Sequence, residues 1–376
     1  MSTKTPTNTA AYLVGKQVKP LAVKTAPYTP PGAHEIVVKN HAVAINPVDW
    51  FKQYVGNLLL SWIKYPFILG GDLAGEIVEV GKGVTRFRVG ERVLGHAVGM
   101  DGARNRSSEG AFQQYTVIRD NLAAPIPESL SYENACVLPL TLSTAATGLF
   151  QRDYLALQYP TVPPKPTGEA LLVWGGSTSV GSNAIQLAKA AGYEVFTTAS
   201  SKNFEYVKRL GASQAFDYRS PTVIQDIILA LKHKPLAGSF AIGNNGAESC
   251  IAVLEKSKGR KFVALASFPM PKNFPEGSGQ NLAIFSMMFS VVWWQLSMWL
   301  KSKFKGIPTK FIIGDTLQNN EISNVVYEDF LPQALAEGQY VMAPEPFVVG
   351  HGLEYTQEAF DVQKKGVSAK KVVVTL

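Results

Sequence analysis

The chain has 376 residues but only two cysteines, Cys136 and Cys250, each set among apolar or small neighbours. That excludes a disulfide framework and reads as two buried, reduced thiols. Histidine is scarce as well. His34, His41, His96, His233 and His351 are spread singly, without the short spacing of a zinc motif. Charge is sparse, at 17% of residues against 46% apolar, which excludes a disordered, collagen-like or coiled-coil protein. Basic residues outnumber acidic ones 36 to 29, for a net charge of +7, yet no long basic run exists. The excess falls in small clusters at Lys256–Lys261, Lys301–Lys305 and Lys364–Lys371. A nucleic-acid footprint would be denser and aligned on one face, so no nucleic-acid partner is expected. The opening residues, Met-Ser-Thr-Lys-Thr-Pro, lack the apolar core of a signal peptide, and the expected location is the cytoplasm.

The length suits two domains with sizeable cores. The first ~140 residues read as β-rich. Ile36–Val38, Glu76–Val80, Arg92–Leu94 and Gln113–Val117 are short apolar or alternating runs separated by glycine, proline and asparagine turns. From Glu169 onward strands and helices alternate: Leu171–Trp174, Ala184–Ala191, Glu194–Thr198, Phe204–Leu210, Gln214–Tyr218, Val223–Leu231, Ser239–Gly243, Glu248–Glu255, Lys261–Ala266 and Lys310–Gly314. This spacing predicts a parallel sheet with right-handed crossovers.

The strongest motif is Gly175-Gly176-Ser177-Thr178-Ser179-Val180-Gly181, lying between an apolar strand and a helix. Glycines let the backbone turn tightly and approach a pyrophosphate, and the N–H groups opening the helix attract anions. Gly176, Ser177, Thr178, Ser179 and Val180 are therefore assigned to a dinucleotide. NAD calls for an acidic residue at the end of the second strand, where this chain has Thr198-Ala199-Ser200-Ser201-Lys202-Asn203. Hydroxyls with a lysine suit a 2′-phosphate, so NADP(H) is the expected cofactor, held by Ser200, Lys202 and Asn203, with Tyr218-Arg219 beside the adenine ribose. Ala266 and Ser267, ending the fifth parallel strand, are expected near the nicotinamide ribose, because ligands gather beyond the carboxyl ends of such strands. A competing reading takes Ser179 as the nucleophile of a degenerate hydrolase elbow with His351 as its base. There the elbow's first glycine is replaced by Ser177.

Several pieces recur in order along nearly the whole chain. They are Asn46-Pro47-Val48-Asp49-Trp50, Gly70-Gly71-Asp72-Leu73-Ala74-Gly75-Glu76-Ile77-Val78, Gly90-Glu91-Arg92-Val93, Gly110-Ala111-Phe112, Pro139-Leu140 leading to Thr144-Ala145, Ala184-Ile185-Gln186-Leu187-Ala188-Lys189 and Lys371-Val372-Val373-Val374. In these the chain resembles the medium-chain dehydrogenase/reductase superfamily, in its zinc-independent quinone oxidoreductase and enoyl reductase branch. The resemblance implies an α/β protein with a GroES-like β-rich catalytic domain at 1–143, completed by 341–376. It implies a Rossmann doubly wound parallel-sheet domain at 144–340. Zinc-dependent relatives carry a cysteine near Asp49 and a Gly-His-Glu where this chain has Gly71-Asp72-Leu73, so no metal is expected. The implied reaction is hydride transfer from NADPH to an activated C=C or a quinone, with developing negative charge on the conjugated oxygen. The candidate donors to that oxygen are Lys52, Tyr54 and Thr144, although Phe51 stands where relatives often place the lysine. The substrate is expected to be small and apolar, and family habit suggests a homodimer. A non-catalytic NADPH-binding or partner-binding protein of the same fold is the alternative.

One segment stands apart. Leu282–Leu300 runs for nineteen residues without a charge, includes Trp293, Trp294 and Trp299, and is followed by Lys301, Lys303 and Lys305. It reads first as a buried or pocket-lining helix within an apolar insertion at 277–307. It reads second as an apolar surface docking a membrane or an acyl-carrier or polyketide partner, which would make the protein peripherally membrane-associated. A true span comes last, because the soluble pattern resumes at Lys310.

Overall fold

The computed structural model describes residues 6–271 and 273–376. Met1–Thr5, within the stretch read for a leader, lie outside the described residues. The chain divides into two compact units, Met1–Ser143 with Leu317–Leu376, and Thr144–Thr316.

The glycine- and proline-punctuated first stretch forms β1 (Asn8–Leu13), β2 (Ala22–Ala26), β3 (Glu35–Ala44), β4 (Phe67–Ile68), β5 (Asp72–Val80), β6 (Arg92–His96), β7 (Tyr115–Arg119) and β8 (Ala123–Pro125). Helix α1 (Pro47–Val55) follows β3, and α2 (Pro139–Phe150) follows β8. Pro47 opens α1, where its missing N–H costs nothing. Asn46 and Asp49 close a reciprocal cap around the same turn.

The second unit alternates strand and helix as the sequence predicts: β9 (Ala170–Trp174), α3 (Ser179–Ala190), β10 (Glu194–Ala199), α4 (Phe204–Arg209), β11 (Ala212–Asp217), α5 (Val223–Ala230), β12 (Leu236–Ala241), α6 (Gly246–Lys256), β13 (Val263–Leu265), α7 (Gln280–Lys305) and β14 (Thr309–Phe311). Among the described residues these strands make one parallel sheet in the order β11-β10-β9-β12-β13-β14. Counted within the unit, that is 3-2-1-4-5-6, the doubly wound order of dinucleotide-binding sheets. β9 is buried throughout, as a central strand covered on both faces must be.

The chain then returns to the first unit as β15 (Glu345–His351), α8 (Thr356–Lys365) and β16 (Lys370–Thr375). β16 pairs antiparallel with β3 at Ala42–Ala44, completing a sheet ordered β15-β16-β3-β5-β6-β8, with β7 also on β3. The expected boundary at residue 341 needs correction, because residues 317–340 belong to the first unit. Arg86 donates to the Tyr327 carbonyl at 3.0 Å, and Asn121 donates to the Gln318 carbonyl at 3.1 Å and the Ser323 hydroxyl at 3.0 Å. The fully buried Tyr327 donates to the Pro139 carbonyl at 2.9 Å.

The expected insertion is corrected too. Parallel neighbours need a crossover, and α7 is the one joining β13 to β14. It is not a buried helix either. Only Ile284, Met287 and Met298 are buried along it, while Leu282 and Phe285 are more than 70% exposed. Cys136 and Cys250 are buried free thiols, and burial pushes Cys250 up to about 12. Neither is poised as a nucleophile.

Candidate active site

In the second unit, β9 runs into Gly175, whose φ of +86° reverses the chain in a region that side chains disfavour. The turn is tied to the end of β10: the Gly175 N–H donates to the Thr198 hydroxyl at 3.0 Å, and the Gly176 N–H to the Thr198 carbonyl at 2.9 Å. Thr178 caps α3, accepting from the Gly181 N–H at 3.0 Å and donating to the Gly175 carbonyl at 2.8 Å. A Cβ on Gly181 would stand 2.8 Å from the Gly176 Cα and closer still to the Gly175 carbonyl oxygen. The helix therefore begins hard against the turn. Ser177, Ser179 and Val180 sit half-exposed at its opening, where the first N–H groups have no acceptor within the helix. Such a cradle takes a pyrophosphate.

The loops following β10 and β11 leave adjacent parallel strands, with Ala199 in register with Asp217. One carries the turn Ser201–Asn203, in which the Asn203 amide donates to the Ser200 hydroxyl at 3.3 Å and Lys202 is exposed. The other carries Tyr218, 47% exposed, with the Arg219 guanidinium over its ring at 5.3 Å. At the ends of β12 and β13, the Ala266 N–H donates to the Ala241 carbonyl at 2.9 Å. The Ser267 hydroxyl accepts from the Gly243 N–H at 2.7 Å, drawing the two strand-end loops together. Thr144, the first residue of this unit, lies beside Gly314, where an added Cβ would come within 2.6 Å of its hydroxyl oxygen.

In the first unit, a buried polar network links α1, β5 and β16. Lys371 Nζ lies 2.8 Å from Asp72 Oδ2 and donates to Asn46 Oδ1 at 2.6 Å. Asn46 Nδ2 donates to the same Asp72 oxygen at 2.7 Å, and the Asn46 N–H to Asp49 Oδ2 at 2.7 Å. Burial pushes the Asp49 carboxyl up to about 8, with Asp72 pushing the same way and Lys371 opposing. Motif reading places Asp49, Asp72 and Lys371 in three separate pieces of the chain, with nothing to join them. A second chain of groups joins His96 Nδ1 to the Ser143 hydroxyl at 3.0 Å, and that hydroxyl to the Tyr327 hydroxyl at 2.7 Å.

No cluster of three or more His, Cys, Asp and Glu able to hold a metal occurs among the described residues. Asp72 faces the Lys371 ammonium group, and His96 stands opposite it in the register of β5 and β6.

Lys52 is turned into the protein. It is fully buried, and its ammonium group donates to the Gly56, Leu59 and Leu60 carbonyls at 3.1, 2.8 and 3.1 Å. It pins the chain leaving α1. Tyr54 is also buried, its ring against Trp50 and under the Lys364 ammonium group at 4.6 Å. Burial lowers Lys52 to about 8 from its ordinary 10.5. Between those values the unfolded chain binds a proton that the folded chain lacks, so this group's contribution to stability rises as pH rises from about 8 to about 10.5. Lys52→Met is expected to remove that rise and to lower stability at neutral pH by about 2 kcal/mol, through three orphaned carbonyls. Urea melts at neutral and alkaline pH check it, and unchanged stability with lost turnover would restore a catalytic role.

A nicotinamide dinucleotide is the ligand this cradle and sheet order define, and the chain is an oxidoreductase of that class. It belongs to the medium-chain dehydrogenase/reductase superfamily. Residues 32–128 match the alcohol dehydrogenase GroES-like domain, and residues 179–287 match the zinc-binding dehydrogenase domain. The chain is 56% identical to the dehydrogenase pigH of Monascus ruber, over 99% of this chain and 100% of that one. It is 37% identical to the trans-enoyl reductase himH of Aspergillus japonicus, over 98% and 97%. An alcohol dehydrogenase superfamily protein from Novosphingobium aromaticivorans shares the fold, with a TM-score of 0.71 at 23% identity, covering 98% of this chain and 99% of that one.

Proposed function

We propose that the protein is an NADPH-dependent reductase that delivers hydride to an activated C=C, as in an enone or enoyl group, or to a quinone, without zinc. The observation that carries the cofactor choice is the pair of neighbouring loops after β10 and β11. They present Lys202, Asn203, Tyr218 and Arg219 beside the buried Ser200. A 2′-phosphate is a dianion that a lysine and a planar guanidinium recognise well. When bound, the dihydronicotinamide supplies the hydride. The chain's own part is to hold the pyrophosphate at the start of α3 and to keep the reacting end in place through the loops joined by Ser267 and Gly243. It must also donate a hydrogen bond to the oxygen that gains charge. With Lys52 turned inward to three carbonyls, Thr144 is the donor we assign to that oxygen. The Lys371 ammonium group beside Asp72 supports the zinc-free reading, since it already neutralises the carboxylate a metal would need. The 37% identical trans-enoyl reductase supports the C=C chemistry.

The hydrolase alternative finds little support. Ser179 is the first residue of a regular helix, not the apex of a strained elbow, and His351 Nδ1 is engaged with the Thr375 hydroxyl at 3.1 Å.

The test is NADPH and NADH titration followed by nicotinamide fluorescence, then a panel of enones, enoyl thioesters and quinones, with and without exhaustive chelation. Lys202→Ala with Arg219→Ala is expected to weaken NADPH about tenfold or more and to leave NADH nearly unchanged. Tighter binding of NADH by the unaltered protein, or loss of turnover on chelation, contradicts the reading. Stoichiometric NADPH binding with no turnover across the panel points to the non-catalytic alternative.

A further inference from the structure

Helix α7 presents apolar side chains to solvent along a single face. Leu282, Phe285, Phe289, Val292, Leu296 and Trp299 are all exposed, and their spacing alternates between three and four residues. They form a stripe along the 26-residue helix. Trp293, Leu300 and Phe304 widen it, Phe304 being 86% exposed. A stripe of this kind on a soluble fold marks a surface that something covers.

The helix is long and apolar enough to cross a membrane, but its opposite face is fixed to the sheet. Met298, Ile307 and Trp294 pack in the core beneath β9 and β12, and the Trp294 indole N–H donates to Glu248 of α6 at 2.8 Å. β13 and β14, which it joins, are hydrogen-bonded neighbours. A span would separate those strands by the thickness of a bilayer. The helix therefore lies along a surface and does not pass through one.

Charge indicates which surface. No acidic residue occurs from Gly277 to Lys305, and the helix ends in Lys301, Lys303 and Lys305. The Lys305–Glu255 ion pair sets this end beside the end of α6, where Lys256 and Lys258 are exposed. Five ammonium groups against one carboxylate thus collect at one end of the apolar stripe. Near that end a shallow depression of about 370 Å³ lies between side chains of this one helix, among them Trp293, Leu300, Phe304, Lys301 and Lys305. A second copy of the helix would bring equal positive charge and no carboxylate. Anionic headgroups above acyl chains match both features, and tryptophan and phenylalanine favour that boundary.

We propose that α7 docks the second unit on an anionic phospholipid surface, its apolar stripe at the headgroup–acyl boundary and its lysine end against the headgroups. The docking is peripheral and independent of cofactor. The test is co-sedimentation of the full chain with vesicles of phosphatidylcholine alone and with about 30% phosphatidylserine, at low and high salt. The expected result is binding to the anionic vesicles that salt weakens. Phe285→Ser/Phe289→Ser/Trp293→Ser should reduce the apparent partition coefficient at least about tenfold while NADPH binding and the thermal melt are kept. Lys301→Glu/Lys303→Glu should remove the preference for phosphatidylserine. Failure to bind either vesicle, or equal binding by the triple variant, overturns the proposal. So does a wild-type dimer in sedimentation velocity that the triple variant disperses, without vesicle binding, which assigns the stripe to a second copy of the chain.

Discussion

Gly181→Ala is expected to weaken nicotinamide dinucleotide binding by about 10- to 100-fold, equivalent to roughly 1.4–2.8 kcal/mol. The single methyl group would meet the Gly175 carbonyl oxygen and the Gly176 Cα, both backbone atoms that cannot rotate aside. Relief requires α3 to withdraw from the turn. That carries the opening N–H groups of the helix away from the pyrophosphate and lengthens the Thr178 hydroxyl bond to the Gly181 N–H. The thermal melt of the free protein should fall by only a few degrees, because the clash lies at one end of one helix. Titration of the variant with NADPH and NADH checks the expectation, and both cofactors should lose affinity alike. Wild-type affinity for both would mean that the pyrophosphate binds elsewhere.

Lys371→Met is expected to have the largest effect on stability. Asp72 and Lys371 are both almost wholly inside the first unit, and the substitution leaves a buried carboxylate facing a thioether. Removing one partner of such a pair costs about 3–5 kcal/mol. In a chain of 376 residues that corresponds to a fall of roughly 4–6 °C in Tm. Asp72→Asn/Lys371→Met removes both charges and should recover most of the loss: the amide oxygen can keep the bond that the Leu140 N–H donates to Asp72 Oδ1, and the amide N–H can donate to Asn46 Oδ1 once Lys371 has left it. Urea denaturation of the two variants distinguishes this from a catalytic role for Lys371. A lysine serving only the reaction would leave the midpoint unmoved and lower kcat.

What the sequence made legible was mostly local. The glycine turn was readable because strand, turn, cap and helix lie within a dozen or so residues, and Gly175, Thr178 and Gly181 each have a steric or capping reason to be there. The strand–helix alternation carried the sheet for the same reason. The Lys371–Asn46 bond joins residues 325 apart, and nothing in either neighbourhood announces it. Lys52 was misleading in a different way: a lysine next to a motif looks like a donor, yet the three carbonyls that hold it come from a loop with no distinctive sequence. The unit boundary was missed because Tyr327 and Asn121 bind across long separations. The exposure of α7 was hidden because a helix apolar nearly all round carries too little contrast to reveal which face is covered. Ile284, Met287 and Met298, with the partly buried Trp294, distinguish its inner side.

The return of the chain to β16 sets the order in which the protein can be assembled during synthesis. The second unit is continuous from Thr144 to Thr316 and needs nothing made later. The first unit, though begun earlier, has an unpaired end on β3 and an uncompensated Asp72 until residues 370–375 have been made. The N-terminal lobe is thus translated first and completed last. During that interval the exposed rim of β3 and the waiting carboxylate form an aggregation-prone stage that chaperones would be expected to shield.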